Sequence, residues 1–313
     1  MARLDYVRDW GMLVLCNLIW GSQFVIYKVV QQQTGPVFAV LLPITVAMLL
    51  LTPIVSWTRR RNVAPDRSRM RDRDIWQFIL IGVGGQVVAQ LFVAWGVRYT
   101  LASNAALLVL TLPVSTAFMA YLFLGEHMTR LRWIGFALAI AGVVVCSGIR
   151  WGEVNLTSSK YLLGNLMVFV AINGSAFYNS YSKKLLRRYS PLEVLLYSYY
   201  VVVAVMLPLA LYTEPLSFLN VTNFKFAVWL GFILLAVLQY FLAMIIFLSV
   251  LKRLEATQVG LSNYLIPFFG VLMASIVLKE QLTKSMVLGG ALVLAGTLIV
   301  TVCEQRLPST HET

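Results

Sequence analysis

Residues 102–142 read ASNAALLVLTLPVSTAFMAYLFLGEHMTRLRWIGFALAIAG, and residues 256–296 read ATQVGLSNYLIPFFGVLMASIVLKEQLTKSMVLGGALVLAG. At one constant offset of 154 positions, Ala102 meets Ala256, Pro113 meets Pro267 and Glu126 meets Glu280. The same offset aligns Thr129 with Thr283, Gly135 with Gly289, and Ala141-Gly142 with Ala295-Gly296. No gap is needed across two apolar spans and the turn between them. A second echo lies upstream, where Gly21-Ser22-x-Phe24 precedes Gly174-Ser175-x-Phe177 by 153 positions. The chain is therefore a duplication, and any fold it adopts must be built twice.

The unit that is duplicated belongs in a bilayer. Apolar residues make up 59% of the chain and charged residues 12%, with a mean hydropathy of +0.80; soluble domains carry roughly 25% charge. The charges cluster between long apolar runs, and about 20 apolar residues are needed to cross the hydrocarbon. Ten such runs can be drawn, at about 11–30, 36–57, 75–97, 100–123, 130–149, 161–181, 191–212, 226–249, 255–278 and 284–303. Hydrocarbon offers no hydrogen-bond partner to the backbone, so these runs are expected to be helices. The weak alternation of a membrane β-barrel is absent. The expected fold is an all-α polytopic membrane protein of ten transmembrane helices, arranged as two inverted five-helix repeats over residues 1–150 and 151–313. The opening MARLDYVRDW leads into an apolar run without a small-residue cleavage site, which is read as a retained first helix.

Orientation follows from the basic residues. Seven arginines fall in residues 58–74, and Lys183, Lys184, Arg187 and Arg188 form a second cluster. With both termini on one side, 18 of the 25 Lys and Arg residues flank that side and 6 the other, while Lys28 lies within the first span. By the positive-inside rule the richer side is cytoplasmic, so both termini are expected in the cytoplasm of a cell whose inner membrane holds the protein. Five spans per copy is an odd number, so the second copy must insert upside down, the arrangement on which many alternating-access carriers are built. The net charge of +12 is then accounted for by lipid headgroups, and no nucleic-acid partner is expected.

The residues that could carry chemistry are mostly uncharged. Pro113 and Pro267 lie mid-span, where each removes a backbone donor; they are read as paired hinges beside a central cavity, or else as fixed packing kinks. Glu126 and Glu280 stand at span exits and are expected to anchor the start of the following helix, with gating or proton binding as the alternative. Within the spans, Trp20, Gln23, Tyr27 and Lys28 occupy the first, and Gln86 and Gln90 share one face of the third. Asn104, Asn173, Tyr178, Tyr240, Asn263 and Tyr264 complete the candidate substrate-binding set, with Gln239 beside Tyr240. Amides cannot be left unpaired in hydrocarbon without cost, so they must either bond a neighbouring helix or line a polar cavity with aromatic walls. Lys28 could select an anionic solute, or its head could reach the headgroups. Acidic side chains sit near span ends, in loops or in the tail, and a buried carboxylate relay of the kind used in proton coupling is not seen. The three cysteines form neither a CxxC nor a Cys/His cluster, so no metal, cofactor or disulfide framework is expected.

These features resemble the ten-helix EamA group of the drug/metabolite transporter superfamily. The resemblance runs over roughly residues 11–303 and is carried by NLIWGSQF, LGEHMTRLRWIG and IPFFGVLMASIVLKEQLTKSMVLGGALVLAG. It implies a pore assembled from helices 1–4 and 6–9, with helices 5 and 10 away from it, and a cargo among small organic metabolites such as amino acids. Lys279 stands in LKE where the first repeat has Gly125 in LGE, which alters the neighbour of the acid. The expected function is export or reversible facilitation of a small metabolite by alternating access, a monomer being sufficient. The alternative is a membrane receptor or structural protein without solute flux; no nucleophile and base set supports an enzyme.

Overall fold

The computed structural model describes residues 2–61, 72–124, 130–146, 160–253 and 262–299. Those residues are nearly all helical, and no strand occurs among them. The helices are α1 (Ala2–Val30), α2 (Pro36–Arg61), α3 (residues 72–99), α4 (residues 102–124) and α5 (Arg130–Cys146) in the first half. In the second half they are α6 (Lys160–Leu186), α7 (Pro191–Thr213), α8 (residues 226–253), α9 (Leu265–Val277) and α10 (Lys284–Leu298). Six described spans are long and apolar enough to cross a membrane, and four shorter apolar helices correspond to α4, α5, α9 and α10. The chain is a polytopic helical membrane protein.

Ion pairs at one end of the bundle show how the helices run. Arg253 at the end of α8 grips Asp9 near the start of α1 at 2.7 and 3.1 Å. Arg188, just past the end of α6, reaches Asp74 at the start of α3 at 2.6 Å, and the Tyr189 hydroxyl donates to the same carboxylate at 2.8 Å. Arg59 near the end of α2 pairs with Glu193 at the start of α7 at 3.0 Å. So α1 and α3 leave this face while their repeat counterparts α6 and α8 arrive at it. The counterparts run in opposite directions. Exposed aromatics mark two interfacial belts: Trp57, Trp76 and Trp133 at the end with the ion pairs, and Tyr99, Tyr161 and Tyr212 at the other. Burial pushes the Tyr189 hydroxyl up to about 12, with the Asp74 carboxylate adding to the shift.

The two repeats meet closely at α5 and α10. A Cβ added to Gly142 would lie 2.7 Å from the Gly289 carbonyl oxygen, and one added to Gly296 would lie 2.7 Å from the Gly135 carbonyl oxygen. These two contacts exchange under the offset of 154 that relates the repeats. Ala139 and its counterpart Val293 are both fully buried between them. Small side chains here let two backbones touch, the means by which helices associate in lipid, where hydrophobic exclusion supplies little drive.

Helices α4 and α9 are interrupted at matched places. In α4 the winding tightens to a 3-10 turn over Val109–Thr111 before Pro113, and in α9 residues 263–264 form a turn before Pro267. Each proline thus sits in the first turn of a restarted helix, where its missing N–H costs least, and not in the middle of a continuous one. At the far end of α9, Lys279 takes a left-handed φ of 56°, the conformation that glycine adopts freely. Glycine is what the first repeat carries at the matching position, Gly125. The turn aims Glu280 back at α4, where its carboxylate accepts from Ala102 N–H at 3.0 Å, Ser103 N–H at 2.9 Å and the Ser103 hydroxyl at 2.6 Å. Sequence order suggested the following helix, but Thr283 caps α10 instead, accepting from Met286 N–H at 3.2 Å. Glu126 lies outside the described residues. Replacing Lys279 by Gly is expected to stabilise the fold by about 1 kcal/mol, because a non-glycine residue at left-handed φ costs roughly that much; a higher thermal unfolding midpoint in detergent is the measurement that checks it.

Candidate functional site: a polar cavity between the repeats

A cavity with about 110 Å³ of free interior opens among α1, α3, α4, α6, α8 and α9. From the first repeat, α1 supplies Trp20, Gln23 and Phe24, and α3 supplies Gln86, Ala89, Gln90 and Val93. The second repeat contributes Ser175, Tyr178 and Asn179 from α6, and Gln239, Met244 and Phe247 from α8. Leu112 and Ile266, equivalents at the offset of 154, close the wall from α4 and α9 just ahead of the two prolines. Among the described residues, none from α2, α5, α7 or α10 lines it. Helices α2 and α7, which the resemblance places in the pore, pack against each other. Trp20 and Phe247 stand with ring centroids 4.8 Å apart and form an aromatic side.

The polar groups of the wall are held by a directional network. Tyr27 and Tyr240, both buried, share a hydrogen bond between their hydroxyls. Tyr240 donates on to Gln90 Oε1 at 3.1 Å, and Gln90 Nε2 donates to Gln86 Oε1 at 3.3 Å. The Gln86 side chain and the Ser198 hydroxyl stand beside the Tyr178 hydroxyl. Across the cavity Gln239 Nε2 donates to Gln23 Oε1 at 2.7 Å. Tyr199 steadies α8 from outside, its hydroxyl donating to the Tyr240 carbonyl at 2.7 Å. In a medium of low dielectric such bonds hold side chains in one orientation more firmly than in water. Among the described residues, no Asp, Glu, Lys, Arg or His lines the cavity. The arrangement offers amide and hydroxyl groups for hydrogen bonding, and aromatic faces for packing.

The sequence model of the EamA-like transporter family matches residues 10–148 and 162–302. The chain belongs to the EamA-like transporter family. It is 28% identical, over 92% of its length and 91% of the relative's, to a probable terminal-alkyne amino-acid exporter of Streptantibioticus cattleyicolor. An uncharacterized transporter of Archaeoglobus fulgidus is 25% identical over 93% of this chain and 96% of its own. A crystal structure at 19% identity superposes with a TM-score of 0.64 over 97% of this chain and 99% of that one, a likeness of fold.

Within this EamA chain, five of the residues singled out from sequence line the cavity: Trp20, Gln23, Gln86, Gln90 and Tyr178. Tyr27 and Tyr240 stand behind the wall and act on it through Gln90. The others do not line it. Asn173 donates to its own helix at Phe169 O, 2.8 Å away, and Asn104 donates to Thr100 Oγ1 at 3.3 Å. Asn263 and Tyr264 form the turn that precedes α9. Lys28 is half-buried in the last turn of α1, within electrostatic range of Glu280. Asn179 and Ser175 belong to the lining and stand outside the sequence-derived set, while Gln239, noted in the sequence beside Tyr240, lines it as well. The offset of 153 that aligns Gly21 with Gly174 also aligns Gln86 with Gln239, and that signal pointed to Gln239. Replacing Tyr240 by Phe removes the bonds to Tyr27 and Gln90 and is expected to cost about 1–3 kcal/mol, since buried partners are left unsatisfied. Thermal unfolding in detergent, compared with Tyr212→Phe at an exposed position, checks it.

Proposed function

We propose that this EamA-family protein carries a small organic metabolite of amino-acid-like polarity across the cell inner membrane, as an exporter or reversible facilitator working by alternating access. The observation that carries the reading is a cavity between oppositely running repeats, lined by amides, hydroxyls and aromatic rings and, among the described residues, by no fixed charge. A solute with net charge would shed its hydration there with no counter-ion to meet it, which is costly. A neutral or zwitterionic solute can exchange water for the amides of Gln23, Gln86, Gln90 and Gln239. The exporter named among the relatives supports the amino-acid-like class. Transport leaves its cargo chemically unchanged, and amides and aromatics suit binding rather than bond-breaking.

Cytoplasmic placement of both termini goes with the reading. The end of the bundle bearing Arg59, Arg188 and Arg253 is its basic face, and basic flanks are retained on the cytoplasmic side. A green fluorescent protein fused after Thr313 is expected to fluoresce in a bacterial host, and alkaline phosphatase at the same junction to stay inactive; the reverse pattern would invert the assigned orientation.

For the activity, purified protein in liposomes loaded with unlabelled amino acids is expected to give saturable counterflow of at least one labelled amino acid from a broad panel. Gln86→Leu and Gln90→Leu should each lower that flux about tenfold or more at limiting concentration, the loss of about one hydrogen bond to the cargo in a buried site. Absence of flux across an extended metabolite panel, together with ligand-dependent capture of another membrane protein, would favour a receptor instead.

A further inference from the structure

Two stretches among the described residues widen from α-helical to π-helical winding over a full turn or more: Ile81–Val87 in α3 and Leu234–Ala243 in α8. They come from opposite repeats and fall at the same register, because the offset of 153 carries Gln86 onto Gln239. Wide turns of this kind are uncommon and concentrate at functional positions. Their sequences, IGVGGQV and LLAVLQYFLA, have one residue in common at matched positions, the glutamine. Glycine packing explains only the first: a Cβ on Gly85 would lie 2.9 Å from Tyr178 Cβ, whereas the second turn contains no glycine. What the two turns share is that each brings a glutamine into the cavity wall.

Both side chains are buried, Gln86 at 2% and Gln239 at 4% exposure, and both line the cavity. Their hydrogen bonding is unequal. Gln86 Oε1 receives Gln90 Nε2, while Gln239 donates to Gln23 and its own Oε1 accepts no hydrogen bond among the described residues. Buried amide oxygens without a donor call for an explanation, and of those among the described residues only that of Gln239 belongs to a residue lining the cavity. A cargo N–H or O–H arriving in the cavity would meet that need.

We propose that Gln86 and Gln239, one from each repeat and each set by a π-turn, form a symmetry-related pair of cargo-contacting amides, with Gln239 Oε1 accepting from an N–H or O–H of a neutral or zwitterionic solute. The proposal rests on the transport reading of this cavity and adds to it the residues that determine recognition. An inverted repeat presents equivalent groups to a solute from two sides, so the pair can hold the solute whichever side the cavity opens to.

The test uses the full chain with Cys16, Cys146 and Cys303 replaced by alanine. Into it go Gln86→Cys and Gln239→Cys, with Val83→Cys and Val237→Cys as controls at exposed positions of the same two turns. In proteoliposomes, a small hydrophilic methanethiosulfonate reagent is expected to modify both glutamine positions at least about tenfold faster than the controls, as water-exposed thiolates react and thiols in lipid do not. In the native background, Gln86→Leu and Gln239→Leu should each raise the half-saturating concentration of the transported amino acid about fivefold or more. Modification at neither position, or at only one, overturns the pair whether or not flux is seen. Unchanged half-saturation in both leucine variants, with flux retained, overturns it while leaving the transport reading intact. Wild-type protein that carries no solute from the panel defeats the transport reading, and the thiol result then still decides whether the two glutamines face a solute path.

Discussion

Inside a bilayer a free backbone N–H has no water to turn to, and the rest of this structure depends on how its exposed helix starts are satisfied. Two carboxylates do so from across the repeat boundary. Glu280, beyond the end of α9, takes the first N–H groups of α4, and Glu214, beyond the end of α7, takes Val37 N–H at 2.9 Å and Phe38 N–H at 2.8 Å at the start of α2. Each negative charge meets the positive end of a helix dipole, and hydrogen bonds to an ionised group are worth about 1.5–3 kcal/mol apiece. Both acids belong to the second half of the chain and both helices to the first. The contacts that cap the helices therefore also fasten the halves together. Gly35 is the matching concession in the loop before α2, since any Cβ there would collide with the Glu214 carboxylate.

How far these arrangements can be read from sequence depends on the range of the interaction. The spans were legible because membrane thickness fixes their length, and the duplication because prolines, acids and glycines recur at one offset. The destination of Glu280 was not. Its partners lie 177 and 178 residues away, and local order points to the next helix, which Thr283 already caps. The amides show the same limit from another side. A buried amide in a span announces that it needs a partner, but not whether that partner is its own backbone, as for Asn173, a nearby threonine, as for Asn104, or a residue 216 positions away, as for Gln23. The π-turns leave no local motif at all. Comparison of one repeat with the other is what pairs Gln239 with Gln86.

The symmetry is unevenly distributed through the molecule, and the unevenness has a physical cause. At α5 and α10 the glycine contacts are reciprocal to within a few tenths of an ångström, because two backbones already touching have little room to depart from the two-fold. Around the cavity the equivalent helices differ. The breaks before the prolines keep one hydrogen bond at matched positions, Leu112 N–H to Val109 O in α4 and Ile266 N–H to Asn263 O at 3.1 Å in α9, and the difference lies in the cavity glutamines. Gln239 bonds α1, while Gln86 bonds its own helix. Close packing leaves one arrangement, whereas broken and widened turns leave several of similar free energy. Under the proposed alternating access, a carrier made of inverted repeats reaches its opposite state when each half takes the conformation the other now holds. That exchange requires unlike conformations where the path runs and like ones about the axis. A reciprocal seam at α5 and α10, with unlike bonding of Gln86 and Gln239 at the cavity, fits such an exchange.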